Sequence, residues 1–209
     1  MDLNKIMITI YTDGSCLGNP GKGGYAAILV NGKHKKIITG GYTLTTNNRM
    51  EIKAIVEGLK AINNPSEVTI KTDSRLICDT FNKGWIFSWE KNGWGKGKKR
   101  EPVRNLDLLK ELLQLYNTHT VKFEWVKAHS GIALNEECDI LAKEAAEVAT
   151  ETDLFYELSK GETVQALEFK NGIEITQKAG RLSISANSST IEIQNSDLEK
   201  FINDLKMYI

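Results

Sequence analysis

Two short hydrophobic strands that each run straight into an aspartate constrain this chain more than any other feature. Residues 6–12 alternate and are rich in β-branched side chains, the pattern of a half-buried strand, and Asp13 follows directly. Residues 68–72 repeat the arrangement and end at Asp73. A carboxylate flush with the end of an apolar strand is costly unless it reaches solvent or a cation. If the two strands are neighbours in one sheet, the two aspartates stand side by side at the same end of it. Glu51, in the first turn of a helix, and Asp139, inside another, are the acids placed to point in from the flanks. Four carboxylates converging within a few Å repel one another, which calls for hard divalent cations with oxygen ligands. Two Mg2+ roughly 3.5–4 Å apart would activate a water and stabilise the entering and leaving oxygens at phosphorus. Taken singly, each acid reads more simply as a solvated surface or capping group.

The remaining pattern is that of an α/β fold. Residues 14–24 read as a glycine-rich turn carrying Asn19-Pro20-Gly21, 25–30 as a second strand, Asn31-Gly32 as a hairpin turn, and 36–44 as a third strand. Thr46-Asn47-Asn48 offers N-cap chemistry for a helix in which Met50, Ala54, Ile55, Leu59 and Ile62 recur at helical spacing. Ser74 is placed to cap a short helix through Phe81. Residues 106–115 are expected to be helical, 121–126 a fifth strand and 134–148 an amphipathic helix. The later strands are thus joined through helices. Further on, 164–170, 173–178, 181–186 and 190–194 alternate as short strands separated by hairpin signals, and Ser196-Asp197-Leu198-Glu199 forms a capping box opening a helix over 197–208. The expected division is a domain over 1–149, a linker over 150–163, and a small ββββα domain over 164–209.

With 27 basic and 27 acidic side chains in 209 residues the net charge is zero, which at first argues against a nucleic-acid partner. The balance is a cancellation. Residues 1–149 carry 21 basic and 17 acidic groups, a net of +4, whereas 150–209 carry 6 and 10, a net of −4. Within 83–104 lie Lys83, Lys91, Lys96, Lys98, Lys99, Arg100 and Arg104 against only Glu90 and Glu101, interleaved with Trp85, Phe87, Trp89 and Trp94. Cations among flat aromatics suit a phosphate backbone with exposed sugars or bases. The plainer alternative is a charged loop beside a helix whose aromatics enter the core. No apolar run approaches the roughly 20 residues a membrane span needs, and no secretory leader is expected from the first residues. Cys16, Cys78 and Cys138 form no metal-finger spacing and fit a reducing, cytoplasmic setting.

Thr12-Asp13-Gly14-Ser15-Cys16-Leu17-Gly18-Asn19-Pro20-Gly21 resembles the first motif of bacterial type 1 ribonucleases H. Thr46-Asn47-Asn48-Arg49-Met50-Glu51 resembles the second, Thr72-Asp73-Ser74 the third, and Val126-Lys127-Ala128-His129-Ser130-Gly131 with Asn135-Glu136-Glu137-Cys138-Asp139 the last. The stretch from Trp85 to Asn105 is similar to the family's basic protrusion. The motifs follow the family's order and spacing over residues 5–149. The resemblance implies a mixed five-stranded sheet flanked by helices, and Mg2+-dependent endonucleolytic cleavage of the RNA strand of RNA–DNA hybrids, with Mn2+ as a substitute. It implies that Asp13 bridges two metal ions, that Asp139 completes the site of the water-activating one, and that Glu51 and Asp73 hold the other. In-line attack then leaves a 3′-hydroxyl and a 5′-phosphate.

Further roles follow from the same resemblance. His129 suits proton transfer or product release, since imidazole titrates near neutrality, and Asn135, four residues before Asp139 on one helix face, orients a water or phosphate. Gly14, Ser15, Cys16, Asn19, Asn47 and Arg75 match positions that read the 2′-hydroxyl side of the hybrid, with Arg75 standing where an amide is common, and Asn48 is a further substrate-binding position. Thr46 and Asn105 match a DNA-phosphate pocket, Trp85 packs on a deoxyribose, and Lys98 and Lys99 extend the basic protrusion. Asn19 and Asn47 read equally as turn and cap residues, and Cys138 as a core thiol. The tail over 150–209 resembles nothing recognised. Its charge counts against backbone binding, so homodimerisation or a protein contact is favoured for it. Two rivals stay open: a branched-DNA resolvase or integrase on the same fold, and an inactive hybrid-binding module.

Overall fold

The computed structural model describes residues 7–159 and the strand segments 167–168, 173–178, 181–186 and 189–194. In chain order the first part comprises β1 (Met7–Gly18), β2 (Gly21–Asn31), β3 (His34–Thr45), α1 (Asn47–Lys60), β4 (Glu67–Thr72) and α2 (Arg75–Asn82). There follow α3 (Trp85–Lys91), β5 (Gly95–Lys96), β6 (Glu101–Pro102), α4 (Leu106–Thr118), β7 (Thr120–Trp125) and α5 (Ala133–Glu147). Five strands form one sheet in the order β3-β2-β1-β4-β7. The first three are joined by tight turns and pair antiparallel. The last two run parallel to β1, as strands reached through helical crossovers must. This is the mixed sheet flanked by helices that the motifs imply.

One expectation fails. The glycine-rich turn expected over 14–24 shrinks to Asn19-Pro20: β1 continues through Asp13 to Gly18, and β2 begins at Gly21, paired in register from Thr9↔Val30 to Gly18↔Gly21. The glycines serve close packing here instead. A Cβ on Gly14 would collide with the backbone of Met50 and Glu51 on α1, and one on Gly24 with the backbone of α5 near Ala142 and Ala146. Helices therefore press directly on the strands at these points.

Alternation along the strands divides the core between the two faces. On one face Ile10, Ala27, Leu29, Val68 and Ile70 pack against Ile52, Ile55, Val56 and Leu59 of α1, Ile77 and Phe81 of α2, and Leu108, Leu109, Leu112 and Leu113 of α4. On the other, Ala26 and Ile28 meet Cys138 and Ala142 of α5. Each fully buried aliphatic side chain contributes about 1.5–3 kcal/mol, so the larger cluster dominates the stability of the sheet. Among the described residues no helix is long and apolar enough to cross a membrane.

The chain divides into two compact units, Met1–Thr152 and Asp153–Ile209. The second contains α6 (Leu154–Ser159), β8 (Leu167–Glu168), β9 (Ile173–Lys178), β10 (Arg181–Ala186) and β11 (Ser189–Gln194). Its four strands form an antiparallel sheet in the order β11-β10-β9-β8. α6 occupies part of the stretch expected as a linker over 150–163. The helix expected over 197–208 lies outside the described residues.

Candidate active site

The parallel pairing of β1 with β4 ends at Thr12↔Thr72, so Asp13 and Asp73 are the next residues on two adjacent strands. Glu51 joins them from the first turns of α1, brought over the strand because Gly14 has no Cβ to hold the helix off. One carboxylate oxygen from each of Asp13, Glu51 and Asp73 lies within 4.8 Å of the others. Asp13 and Glu51 are only 6% and 7% exposed. Burial first, then the Asp73 and Asp139 carboxylates, pushes the Asp13 carboxyl up to about 7. Burial and the neighbouring Asp13 and Asp73 carry Glu51 well above the usual carboxylate range, and burial and Asp139 raise Asp73.

This arrangement fits a divalent cation. Glu51 Oε1 accepts a 3.4 Å hydrogen bond from Asn47 Nδ2, but its buried Oε2 has no partner. Three converging carboxylate oxygens are a hard-ion donor set. The fourth expected acid, Asp139 on α5, accepts from Lys143 at 2.7 Å one turn along its own helix, and its charge acts on both Asp13 and Asp73. Cys138 is a core thiol, fully buried, donating to Tyr11 O at 3.2 Å, and burial beside Asp13 pushes it up to about 12.

Most of the residues expected to touch substrate fall into three places. Around the β1–β2 turn, Asn19 Oδ1 accepts the main-chain N–H of Asn47 at 3.2 Å, so it caps α1 from another element. The half-buried Cys16 thiol lies 3.5 Å from Gly21 O and 3.6 Å from Thr45 O. Gly14 is buried, Ser15 half-buried and Asn48 exposed.

At the second place, Thr46 and Asn105 occupy the N-cap positions of α1 and α4, and neither side chain makes a capping hydrogen bond. The two helix starts are buckled together by Arg49, whose guanidinium donates to both oxygens of Asp107 at 2.9 and 2.7 Å. Two positive helix ends held side by side with uncommitted polar side chains suit a phosphate.

At the third place lies the aromatic-basic arm, and here both sequence alternatives are partly met. Trp89 and Trp94 pack against the core, as the plainer alternative expects. Trp85 and Phe87 remain 38% and 40% exposed, with Lys83 Nζ 5.2 Å from the Trp85 ring centre. Lys98 and Lys99 are exposed in the turn joining β5 to β6.

His129 is exposed in the loop before α5 in a left-handed conformation (φ 50°), close enough to Asp73 to act on it electrostatically. Gly131, at φ 83°, donates its N–H to Glu136 Oε1 at 2.9 Å, tying that loop to the first turn of α5. Asn135 is buried with Oδ1 unpartnered. Arg75 is exposed and lies over the ring of Trp125, its Cζ 4.1 Å from the centre.

Sequence reasoning missed Asp107, Lys143, Glu136 and Trp125. A cation four residues after Asp139 was a legible signal for Lys143. No local pattern links Arg49 to an acid 58 residues away.

A family model described as RNase H matches residues 5–147. The chain is similar to a ribonuclease H of Syntrophus aciditrophicus (strain SB), 50% identical over 139 residues that cover 66% of this chain and 80% of that protein. It is 49% identical over 149 residues to a ribonuclease H of Yersinia enterocolitica, covering 71% of this chain and 96% of that one. Among solved structures it resembles LC9-RNase H1, a type 1 RNase H with the type 2 active-site motif, with a TM-score of 0.64 and 31% identity over 72% of this chain and 76% of that one.

Proposed function

The chain belongs to the ribonuclease H family, and from that premise we propose that it hydrolyses the RNA strand of RNA–DNA hybrids at the Asp13–Glu51–Asp73 cluster, with Asp139 beside it. The products have 3′-hydroxyl and 5′-phosphate ends. The observation that carries this is the cluster itself, three converging carboxylates, two of them almost wholly buried, with an unpartnered Glu51 Oε2. Asp13, Glu51, Asp73 and Asp139 would hold two divalent cations, Mg2+ or in its place Mn2+. When bound, such ions activate the attacking water and offset charge on the entering and leaving oxygens.

The protein's own groups place the substrate. Thr46 and Asn105, on the two buckled helix starts, take a phosphate of the DNA strand. Trp85 packs on a deoxyribose, and Lys98 and Lys99 follow the backbone from the arm. Gly14, Ser15, Cys16, Asn19, Asn47, Asn48 and Arg75 line the side on which 2′-hydroxyls are read. His129, on its exposed loop beside Asp73, moves a proton or eases product release, and Asn135 orients a water or phosphate. We assign the enzyme to the cytoplasm, a reading supported by three free thiols. For the small domain over 164–209 we favour homodimerisation or a protein contact, because phosphate contact needs positive surface and the tail is net negative.

The test is a substrate panel of RNA–DNA hybrid, double-stranded RNA and branched DNA with Mg2+. Only the hybrid should be cut, and Asp13→Asn should abolish cutting while hybrid binding persists. An uncut hybrid, or an Asp13→Asn variant as active as the wild type, overturns the proposal. Deleting 150–209 and measuring solution mass and hybrid affinity tests the tail.

A further inference from the structure

At the end of β7 a side chain is built into the acidic site that neither the motif pattern nor the metal chemistry uses. Trp125 is the last residue of β7 and pairs in register with Thr72 of β4, so it stands beside the strand end that delivers Asp73. Its indole N–H donates to the main-chain carbonyl of Asp73 at 3.0 Å. The next residue, Val126, donates its amide to Thr72 O at 3.0 Å. The main chain on both sides of the Thr72–Asp73 junction is thereby held from β7, once by backbone and once by a side chain.

The ring of Trp125 has a second occupant. Arg75 opens α2 two residues after Asp73, and its guanidinium carbon lies 4.1 Å from the ring centre. Trp125 remains 43% exposed, so core burial alone does not explain so large a side chain at the sheet edge. Among the described residues Arg75 pairs with no carboxylate. A guanidinium over an aromatic ring is restrained by the cation–π attraction while its N–H donors stay available for a planar anion.

We propose that Trp125 is a positioning residue with two separable tasks: its N–H fixes the main chain that presents the Asp73 carboxylate, and its ring holds the Arg75 guanidinium ready for a phosphate of the hybrid. The inference rests on the function proposed above, in which Asp73 holds a cation and Arg75 touches substrate. A carboxylate one residue beyond a strand end depends on whatever pins its backbone, and a long arginine side chain binds more tightly when its rotamers are restricted beforehand.

Trp125→Phe keeps an aromatic face and removes the N–H. Its kcat should fall about tenfold, with KM for hybrid within about twofold of wild type and a higher Mg2+ concentration needed for half-maximal rate. Replacing Trp125 with benzothienylalanine, which puts sulfur in place of the N–H at nearly the same volume, should give the same result and separates anchoring from packing. Arg75→Ala should instead act on KM, raising it several-fold and reducing the salt dependence of binding by the share of about one phosphate. Trp125→Leu should show both effects, and adding Arg75→Ala to it should change KM little further. Wild-type kcat and Mg2+ dependence in both N–H-deleting variants overturns the anchoring task. Full additivity of Trp125→Leu and Arg75→Ala overturns the stacking task. A fully active Asp73→Asn overturns the underlying function instead, a distinct result because it leaves Trp125 untouched.

Discussion

The acidic cluster and the basic arm carry charge of opposite sign in opposite ways. Asp13, Glu51 and Asp73 come from inside β1, from the first turns of α1 and from just past the end of β4, and two of the three are almost wholly buried. The arm draws its cations from one continuous stretch, with Lys98 and Lys99 in water at the tip of a short hairpin. Buried like charges shift their own protonation and weigh on the fold, so their geometry must be held by packing. Exposed charges are screened, cost the fold little, and act as salt-dependent affinity. Substitutions in the cluster should therefore trade stability against chemistry, and substitutions in the arm should change binding alone.

The strongest attempt to break this contrast is Glu51→Gln. It removes one charge from the cluster and keeps the shape of the side chain. Hydrolysis should fall on the order of 10²–10³-fold, the scale of removing one fixed electrostatic interaction from a transition state. The metal-free protein should at the same time melt higher at alkaline pH, by about 2–4 °C for each kcal/mol of repulsion relieved. Loss of activity together with loss of stability would mean that Glu51 serves the fold, and the contrast fails.

A pH series sharpens it next. The Asp13 carboxyl is raised from 3.8 to about 7 in the folded protein. Below about pH 4 the group is protonated in both states and its favourable contribution is complete, and that contribution is lost as pH rises through about 7. Glu51 and Asp73 are raised and act with the same sign. In EDTA, the deficit of wild type relative to Asp13→Asn should therefore grow between pH 4 and pH 8, to on the order of a few kcal/mol in urea unfolding. Saturating Mg2+ should remove most of that growth. A deficit that is flat with pH counts against burial as the source of the shift.

The same contrast explains how much was legible beforehand. Periodicity located the strands and the long helices because burial on one face writes itself into local spacing, and the two strand–aspartate patterns pointed to one shared end of the sheet before any partner was known. The glycines over 14–24 misled because glycine marks turns and close approaches alike, and only the helices pressed against Gly14 and Gly24 distinguish the two. The link from Asn19 to Asn47, the Arg49–Asp107 fork and the bond from Trp125 to Asp73 join distant residues through shape, which no local pattern encodes. Asp139 was expected beside Asp13 and Asp73, and its charge acts on both, while its pairing with Lys143 follows the one-turn spacing along α5.

The smallest effect is expected in the arm. Lys98→Ala with Lys99→Ala removes two exposed cations from the turn between β5 and β6 and touches no part of the core. Stability should stay within about 0.5 kcal/mol of wild type, and kcat at saturating hybrid should not change. KM at low salt should rise, and the slope of log affinity against log salt should fall by nearly two, one for each phosphate no longer neutralised. At high salt the variant and the wild type should converge, because the counterions those lysines release then offer little gain. Trp85→Ala in the same arm should by contrast weaken binding equally at all salt concentrations, since stacking on a sugar releases no counterions. A drop in kcat from the double lysine variant would place the arm in the chemistry and erase the division between a buried acidic site that reacts and an exposed basic one that holds.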